Sequence, residues 1–414
     1  MREEGHDVAV YIADEGSRAT WDGLVWKVDH PRDLEQGDLV IYDQNSKGNV
    51  ADGMRERGIL TWCGSELADR LEKDRLFGMK TFSESGVPIP DTYEVSGLGD
   101  VKTVCASEFS RGEKVVVKLD GSDLCSMSYV AANPKDLIAQ IEHWELDGQI
   151  KTPWTGIVQR FVEGIEVSVE GWWNGESWSN HNLTIEEKKA WPGNLGPAVG
   201  CSYNTVCKID PGSKLFKMMV EPIGRVLKDY TGQLDVNTIV GEDGPVALEF
   251  TPRPGYDATP TLAWGDQGGY GDRVLEALGI ENTGKQEREP RPGPFWAGVR
   301  VSVPPYPFES KNKKLAEEAN ETSRGVPFVC PCPEDFYLYD AMMLDGKLVC
   351  AGTIGIAGVA MGGGSSPKAA GRAAYRTAEK LQIPNKAYRD LDGWQRAEKQ
   401  IPELIQGGWI KLEK

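Results

Sequence analysis

The stretch GIVQRFVEGIEVSVEGWWNGESW, residues 156–178, constrains the fold of this chain more than any other. Apolar and polar residues alternate with the period of a strand, pause at Glu163-Gly164, alternate again and stop at Asn174-Gly175. The pattern predicts a pair of half-buried strands, yet it seats Glu163, Glu166 and Glu170 among apolar residues. A carboxylate in such a place needs a cation, hydrogen-bond donors or a ligand. A salt bridge is the plain account of Glu166, and a ligand at the wall of a cleft is the functional one.

Strands interleaved with helices surround this stretch. DVAVYIAD, DLVIYDQ and ILTWCG, with the helix ADGMRERG among them, predict a small parallel sheet with crossover connections over residues 1–71. A helix over about residues 65–85, read as a linker over 72–91, ends where GVPIPDTYEV supplies Gly86 and two prolines. EKVVVKLDG, MSYVAAN, the helix PKDLIAQIEHWE and the strand pair of 156–178 predict a compact α+β lobe over 92–178. The helix GSKLFKMMVEPIGRVLKDY and the strands QLDVNTIVG and VALEFTPRPGY, joined by the turn EDGP, place a central lobe at 179–285. The proline-rich 286–294 reads as a linker and 295–414 as a small α+β domain packed on the central region. The expected fold class is therefore multidomain, mixed α/β and α+β.

Bulk properties narrow the function. A chain of 414 residues exceeds what one hydrophobic core supports, and 40% hydrophobic with 26% charged residues describes a globular protein. No apolar run approaches the roughly 18 residues of a membrane span, and the opening MREEGHDVAV lacks the regions of a signal peptide, so a cytoplasmic location away from membranes is expected. With 63 acidic against 46 basic residues the formal charge is −17, which disfavours a nucleic-acid partner. Eight cysteines stand singly apart from Cys330-Pro-Cys332, and with four histidines they predict reduced thiols and no structural zinc.

Some residues carry chemistry by position. Lys118 ends the run Val115-Val116-Val117, so its ammonium emerges at a sheet edge, suited to phosphate or simply to solvent. Glu249 shares a strand face with Ala247 and Thr251, and the EDGP turn makes Asp235 of the preceding strand a neighbour. Two carboxylates on one face repel unless a cation lies between them, and hard oxygen ligands favour Mg²⁺; pairing of Asp235 with a lysine is the alternative. Arg253, stiffened by Pro252 and Pro254, suits charge developing in phosphoryl transfer, or is a surface arginine. GGGSSP, 362–367, lacks the Lys-Ser/Thr ending of a P-loop and reads as a flexible connection.

Taken in order, Lys118, QRFVEGIEVSVEG, Asp235 and EFTPRPGY resemble the ATP-grasp carboxylate-amine ligases, and among them the phosphoribosylamine-glycine ligase family. DLVIYDQNSKGNVADGMRERGILTWCGSELADRLEKDRLFGMKTFSESGVPIP, NLTIEEKKAWPGNLGPAVG and AAYRTAEKLQIPNKAYRDLDGW extend the resemblance over nearly the whole chain. It implies an ATP-grasp fold with ATP between two lobes. Arg75 and Lys118 would meet phosphate, the backbone of Arg160 and Val162 would face adenine beside Gln159 and Phe161, and Glu166 would hold the ribose. Glu249, with Thr251 and Asp235, would hold Mg²⁺ or Mn²⁺. Arg253 would stand near the transferring phosphate and share catalysis with Lys118. Lys188, Asn194, Gly196 and Pro197, with Arg253, would help bind a small-molecule carboxylate such as glycine and an amine. The implied reaction passes the γ-phosphoryl of ATP to the carboxylate, and the amine attacks the resulting acyl phosphate. A monomer or homodimer is expected.

The chain also departs from the family. Thr251 replaces an asparagine of the metal motif, Cys125-Ser126-Met127 replaces a Gly-Lys-Gly phosphate loop, Gln159-Arg160 replaces Glu-Glu, and AVGCSY replaces a Gly-Gly-Met-Gly continuation. The family's opening strand and glycine-rich turn, which hold the phosphoribosylamine phosphate, have no counterpart before REEGHDVAVYI, so the first strand is expected to be missing. Thr251 and the Cys125-Ser126-Met127 loop motivate the alternative of a nucleotide-binding protein that has lost catalysis.

Overall fold

The computed structural model describes residues 1, 4–30, 34–120, 128–146, 150, 153–266, 269–281, 289–308, 310 and 312–413. Two antiparallel sheets organise them. The larger has eight strands in the order Gly244–Thr251, Gly232–Gly241, Ile165–Trp173, Trp178–Trp191, Leu195–Lys208, Phe295–Ser302, Ile356–Gly364 and Phe336–Leu338. The smaller has four, Thr92–Ser96, Thr155–Arg160, Val115–Leu119 and Ser128–Ala131. No helix among the described residues is long and apolar enough to cross a membrane.

Strand alternation gives the large sheet two unlike faces. Val167, Val169, Leu183, Ile185, Leu234, Val236 and Phe250 enter the main core, where they share a cluster with Phe216, Met219, Ile401 and Leu404 of the helices Lys214–Met219 and Trp394–Gln406. Phe250 stacks on Phe82 of the helix Arg75–Glu84, ring centroids 3.6 Å apart. The opposite face carries Glu166, Ser168 and Glu170, then Glu186 and Lys188, then Asp235 and Asn237, then Glu249 and Thr251.

The two strands of 156–178 do not belong to one lobe. Thr155–Arg160 lies in the small sheet and Ile165–Trp173 in the large one, so the chain passes between sheets at 161–164. The Arg160 amide donates to Asp91 O and the Phe161 amide to Lys114 O, and there the small sheet ends. Gly164 then runs so close to the next strand that a Cβ would lie 2.4 Å from Val240 O.

The single helix expected over 65–85 is two, Glu66–Lys73 and Arg75–Glu84, because Asp74 is extended and its carboxylate caps the Phe77 amide at 2.9 Å. The helix read in GSKLFKMMVEPIGRVLKDY is α-helical only over Lys214–Met219 and continues as a 3₁₀ turn over Glu221–Arg225, since Pro222 has no amide to donate. The N-terminal parallel sheet is two separate pairs, Ala9–Val10 with Trp26–Lys27 and Leu39–Ile41 with Leu60–Trp62. Three strands of the C-terminal segment extend the large sheet, because Phe295–Ser302 pairs with Leu195–Lys208 and Ile356–Gly364 and Phe336–Leu338 follow it. The glycine-rich run is no flexible connection: Gly362 to Gly364 finish the strand Ile356–Gly364, and a Cβ on Gly362 would meet Ala374 N of the covering helix at 2.2 Å. The seven cysteines among the described residues are free.

Phe250 is buried directly beside Glu249, so truncating it tests how the site is seated. Phe250→Ala is expected to cost about 3–5 kcal/mol and to lower the thermal unfolding midpoint by several degrees. An unchanged melting curve would show that the Phe82 stack does not anchor this strand.

Candidate active site

The helix break brings the first cation to the large sheet. Arg75 opens the second helix, its amide donates to Asp120 Oδ1 of the small lobe at 2.9 Å, and its Nη1 lies 2.9 Å from Glu249 Oε2. Lys118 reaches across from the small sheet, and its buried ammonium donates to Leu248 O at 2.8 Å. On the next strands Lys188 Nζ sits 2.6 Å from Glu166 Oε1. The Asn237 amide joins that pair, its nitrogen 3.3 Å from Glu166 Oε1 and its oxygen 3.1 Å from Lys188 Nζ. Arg75, Lys118, Glu166, Lys188 and Glu249 thus converge from five elements between the two sheets.

Charge balance sets their protonation. Burial opposes ionisation of Glu249, but Arg75, Lys118 and Lys188 together hold it down at about 2. Burial lowers Lys118 to about 8, with Arg75 and Lys188 pushing the same way and Glu249 opposing. For Glu166 burial is outweighed by Lys188, so its carboxyl titrates below the usual range. Lys188 is raised, because Glu166, Glu249 and Glu186 outweigh its burial.

Asp235 does not face Glu249 directly. The register sets it opposite Thr251 on one side and Glu170 on the other, and Glu249 opposite Asn237. Burial, with Glu170 and Glu186 nearby, drives Asp235 well above the carboxylate range, and its Oδ1 is buried with no hydrogen-bond partner among the described residues. Glu170 is raised by burial too, although Trp172 Nε1, Asn182 Nδ2 and Gln233 Nε2 donate to it at 3.0, 2.8 and 3.2 Å.

The remaining candidates lie apart from this convergence. Arg253 turns toward the first helix, Nη2 2.8 Å from Glu72 Oε1, with Tyr256 under its guanidinium. Arg160 is spent inside the small lobe, Nη1 2.7 Å from Asp91 Oδ2 and Nη2 3.1 Å from Glu108 Oε2, and Gln159 donates to Thr92 Oγ1 at 3.0 Å. Any cleft contact from 159–160 is therefore left to the backbone. Phe161 and Val162 are half-buried in the crossing, Phe161 beneath Lys114. Asn194, Gly196 and Pro197 are exposed at the tip of the hairpin between Trp178–Trp191 and Leu195–Lys208. Asn194 and Gly196 adopt φ of 60° and 80° there. Cys125, Ser126 and Met127 lie outside the described residues, as does 286–288 of the expected linker.

Sequence reasoning passed over Glu72, Asp120, Asn237 and Arg389. Asn237 shares the two-residue period with Asp235 and was findable on that ground. Glu72 and Asp120 depend on contacts between distant elements. Arg389, 3% exposed, donates to Lys189 O and Trp191 O at 3.0 and 2.8 Å, pairs with Glu187 and Asp392, and fixes the root of the hairpin. No local pattern announces it.

This arrangement, a small four-stranded antiparallel lobe facing a large antiparallel sheet with cations between them, is that of the ATP-grasp fold, which the chain has. Within that class it resembles the phosphoribosylamine-glycine ligases. It is 24% identical over 229 residues to the phosphoribosylamine-glycine ligase of Streptococcus pneumoniae serotype 4, a match covering 53% of this chain and 54% of that one. The chain thus spans about half the length of the curated relatives it matches. The crystal structure of phosphoribosylamine-glycine ligase from Thermotoga maritima superposes with a TM-score of 0.69 at 18% identity, covering 94% of each chain. The biotin carboxylase domain of Hydrogenobacter thermophilus 2-oxoglutarate carboxylase, solved with MgADP, superposes at 0.58 and 11% identity over 84% of this chain and 75% of that one. No protein-family model matches the chain.

Arg389 offers a test of the hairpin. Arg389→Met leaves Glu187 and Asp392 without their shared cation, and the expected loss is about 3 kcal/mol, read by urea denaturation. A loss near zero would mean that the hairpin root is held by its backbone pairing alone.

Proposed function

We propose that the chain is an ATP-dependent ligase that joins a small-molecule carboxylate to an amine through an acyl phosphate. The observation that carries this reading is the convergence of Arg75, Lys118 and Lys188 about the ionised Glu249 at the junction of the two sheets. Phosphoryl transfer asks little covalent chemistry of a protein and much positioning of positive charge, which three cations on three separate elements can provide. The similarity to phosphoribosylamine-glycine ligases supports the same reading. The small lobe, taken as residues 92–160 with the crossing at 161–164 as its hinge, would close over the nucleotide and exclude water from the acyl phosphate.

The residues present fit a divalent cation. Glu249 is held ionised, and Asp235 Oδ1 is a buried oxygen without a partner among the described residues, with the Thr251 hydroxyl across from it. Glu249, Asp235 and Thr251 would hold Mg²⁺ or Mn²⁺ through oxygen. Such an ion would neutralise charge on the phosphates. The protein's own groups do the rest: Lys118 and Arg75 orient the β- and γ-phosphates, and Lys188 with Glu166 keeps charge balanced at the ribose end.

Glycine with a panel of primary amines, phosphoribosylamine among them, is the direct test, read as ADP release. Lys118→Met should lower turnover about 100-fold. Full activity in that variant, or no ADP with any amine, would remove the proposal. The Lys118 pKa adds a pH signature. Its ammonium is charged below about 8 and neutral above it, so ATP affinity should hold steady at lower pH and fall as pH rises through about 8. Lys118→Arg, charged throughout, should abolish that fall in calorimetric titrations; an unchanged fall would assign it to another group.

A further inference from the structure

We propose that Arg75 is a positioning residue that guards the metal ligand: it occupies Glu249 until nucleotide phosphates draw its guanidinium away, so the divalent cation enters after the nucleotide. The inference rests on the reading of Glu249 as metal ligand and of the cleft as an ATP site.

The geometry sets Arg75 and a divalent cation in competition for Glu249. Arg75 Nη1 takes Glu249 Oε2 at 2.9 Å, and a guanidinium and a divalent cation on one carboxylate repel each other. The other two cations of the site do not compete for the post. Lys118 donates to Leu248 O, the carbonyl of the preceding residue, and Lys188 is taken by Glu166. The backbone of Arg75 cannot retreat, because its amide is fastened to Asp120 Oδ1 and the preceding Asp74 caps its helix. Only the side chain can swing. It is also reachable, since the Arg75 and Glu249 side chains are 17% and 32% exposed. A guanidinium prefers a phosphate it can grip with two nitrogens, and here only Nη1 is engaged among the described residues, which leaves Nη2 and Nε for an incoming anion. The nucleotide therefore removes the competing cation and presents the metal with a freed carboxylate in one step.

Binding measured without turnover tests this. Mn²⁺ is titrated into the nucleotide-free protein and followed by electron paramagnetic resonance. AMP-PNP is titrated in EDTA by calorimetry. Arg75→Met should bind Mn²⁺ about tenfold more tightly than the wild type, the order by which a neighbouring cation weakens a carboxylate's hold on a proton. Arg75→Lys, which keeps the charge, should stay near the wild type, so a gain there would mean simple loosening and would overturn the guard. Glu249→Gln should bind metal-free AMP-PNP more tightly, and the gain should vanish when Arg75→Met is added. Equal Mn²⁺ affinity in wild type and Arg75→Met, with AMP-PNP binding intact, overturns the guard and leaves the ATP reading standing. Failure of the wild type to bind AMP-PNP with or without Mg²⁺ overturns both.

Discussion

Two crossed ion pairs hold the site in register. Arg75, just after the helix break, reaches Glu249 on the edge strand at 2.9 Å, while Arg253, just after that strand, reaches back to Glu72, just before the break, at 2.8 Å. Each element gives one cation and one anion, so neither can slide along the other without breaking both pairs. Half-exposed pairs of this kind contribute little individually to stability, of order 1 kcal/mol or less, but their crossing fixes geometry. The extended Asp74 is what makes the crossing possible: an unbroken helix would turn Glu72 and Arg75 onto one helical face at a spacing set by the helix alone.

From this seam the polar face of the large sheet can be followed strand by strand, and its tolerance depends on local neutralisation. Burying an unpaired charge costs several kcal/mol, yet the strands carry Glu249, Glu166 and Glu170, and the turn before the helix Ala258–Gly265 carries Asp257. Arg75 answers the first, Lys188 the second, three neutral donors the third, and Arg300, bidentate and buried, the fourth. Asp235 breaks the series. Burial, with Glu170 and Glu186 nearby, outweighs Ser168 and Lys188 and moves it toward the protonated form, and its Oδ1 has no donor among the described residues. A protein that only had to fold would gain from an apolar residue there.

Much of this was legible in the sequence because a two-residue period states which side chains share a face. Glu166 with Glu170, Glu249 with Thr251, and Asp235 on the same face as both follow from alternation. What alternation does not state is which strand lies beside which. The pattern over 156–178 is equally that of a hairpin and of two strands in different sheets, and only the close approach of Gly164 to Val240 and the amide bonds at Arg160 and Phe161 separate them. The break at Asp74 was obscured because the apolar pattern continues across it, with Leu71, Phe77 and Phe82 on either side. For the same reason Arg253 read as an independent feature of a proline-rich loop, when its partner lies 181 residues earlier in the chain. The acidic and basic halves of each long-range pair carry no mark of one another in sequence.

The cationic cleft gains meaning from the charge of the rest of the chain. A formal charge of −17 surrounds a pocket where Arg75, Lys118 and Lys188 converge, so the field felt by an anion changes sign over a short distance. Outside, the acidic exterior repels polyanions, and at physiological ionic strength that repulsion fades within about 8 Å. A small anion diffusing to the cleft meets the exterior only in its screened form and the cations at contact range. The site's own carboxylates temper those cations further while no anion is present. Arg75 and Lys188 are committed to Glu249 and Glu166, and the Lys118 ammonium is held against Leu248 O. Ligand binding in such a site is an exchange of ion-pair partners, with little net charge left buried on either side of the exchange.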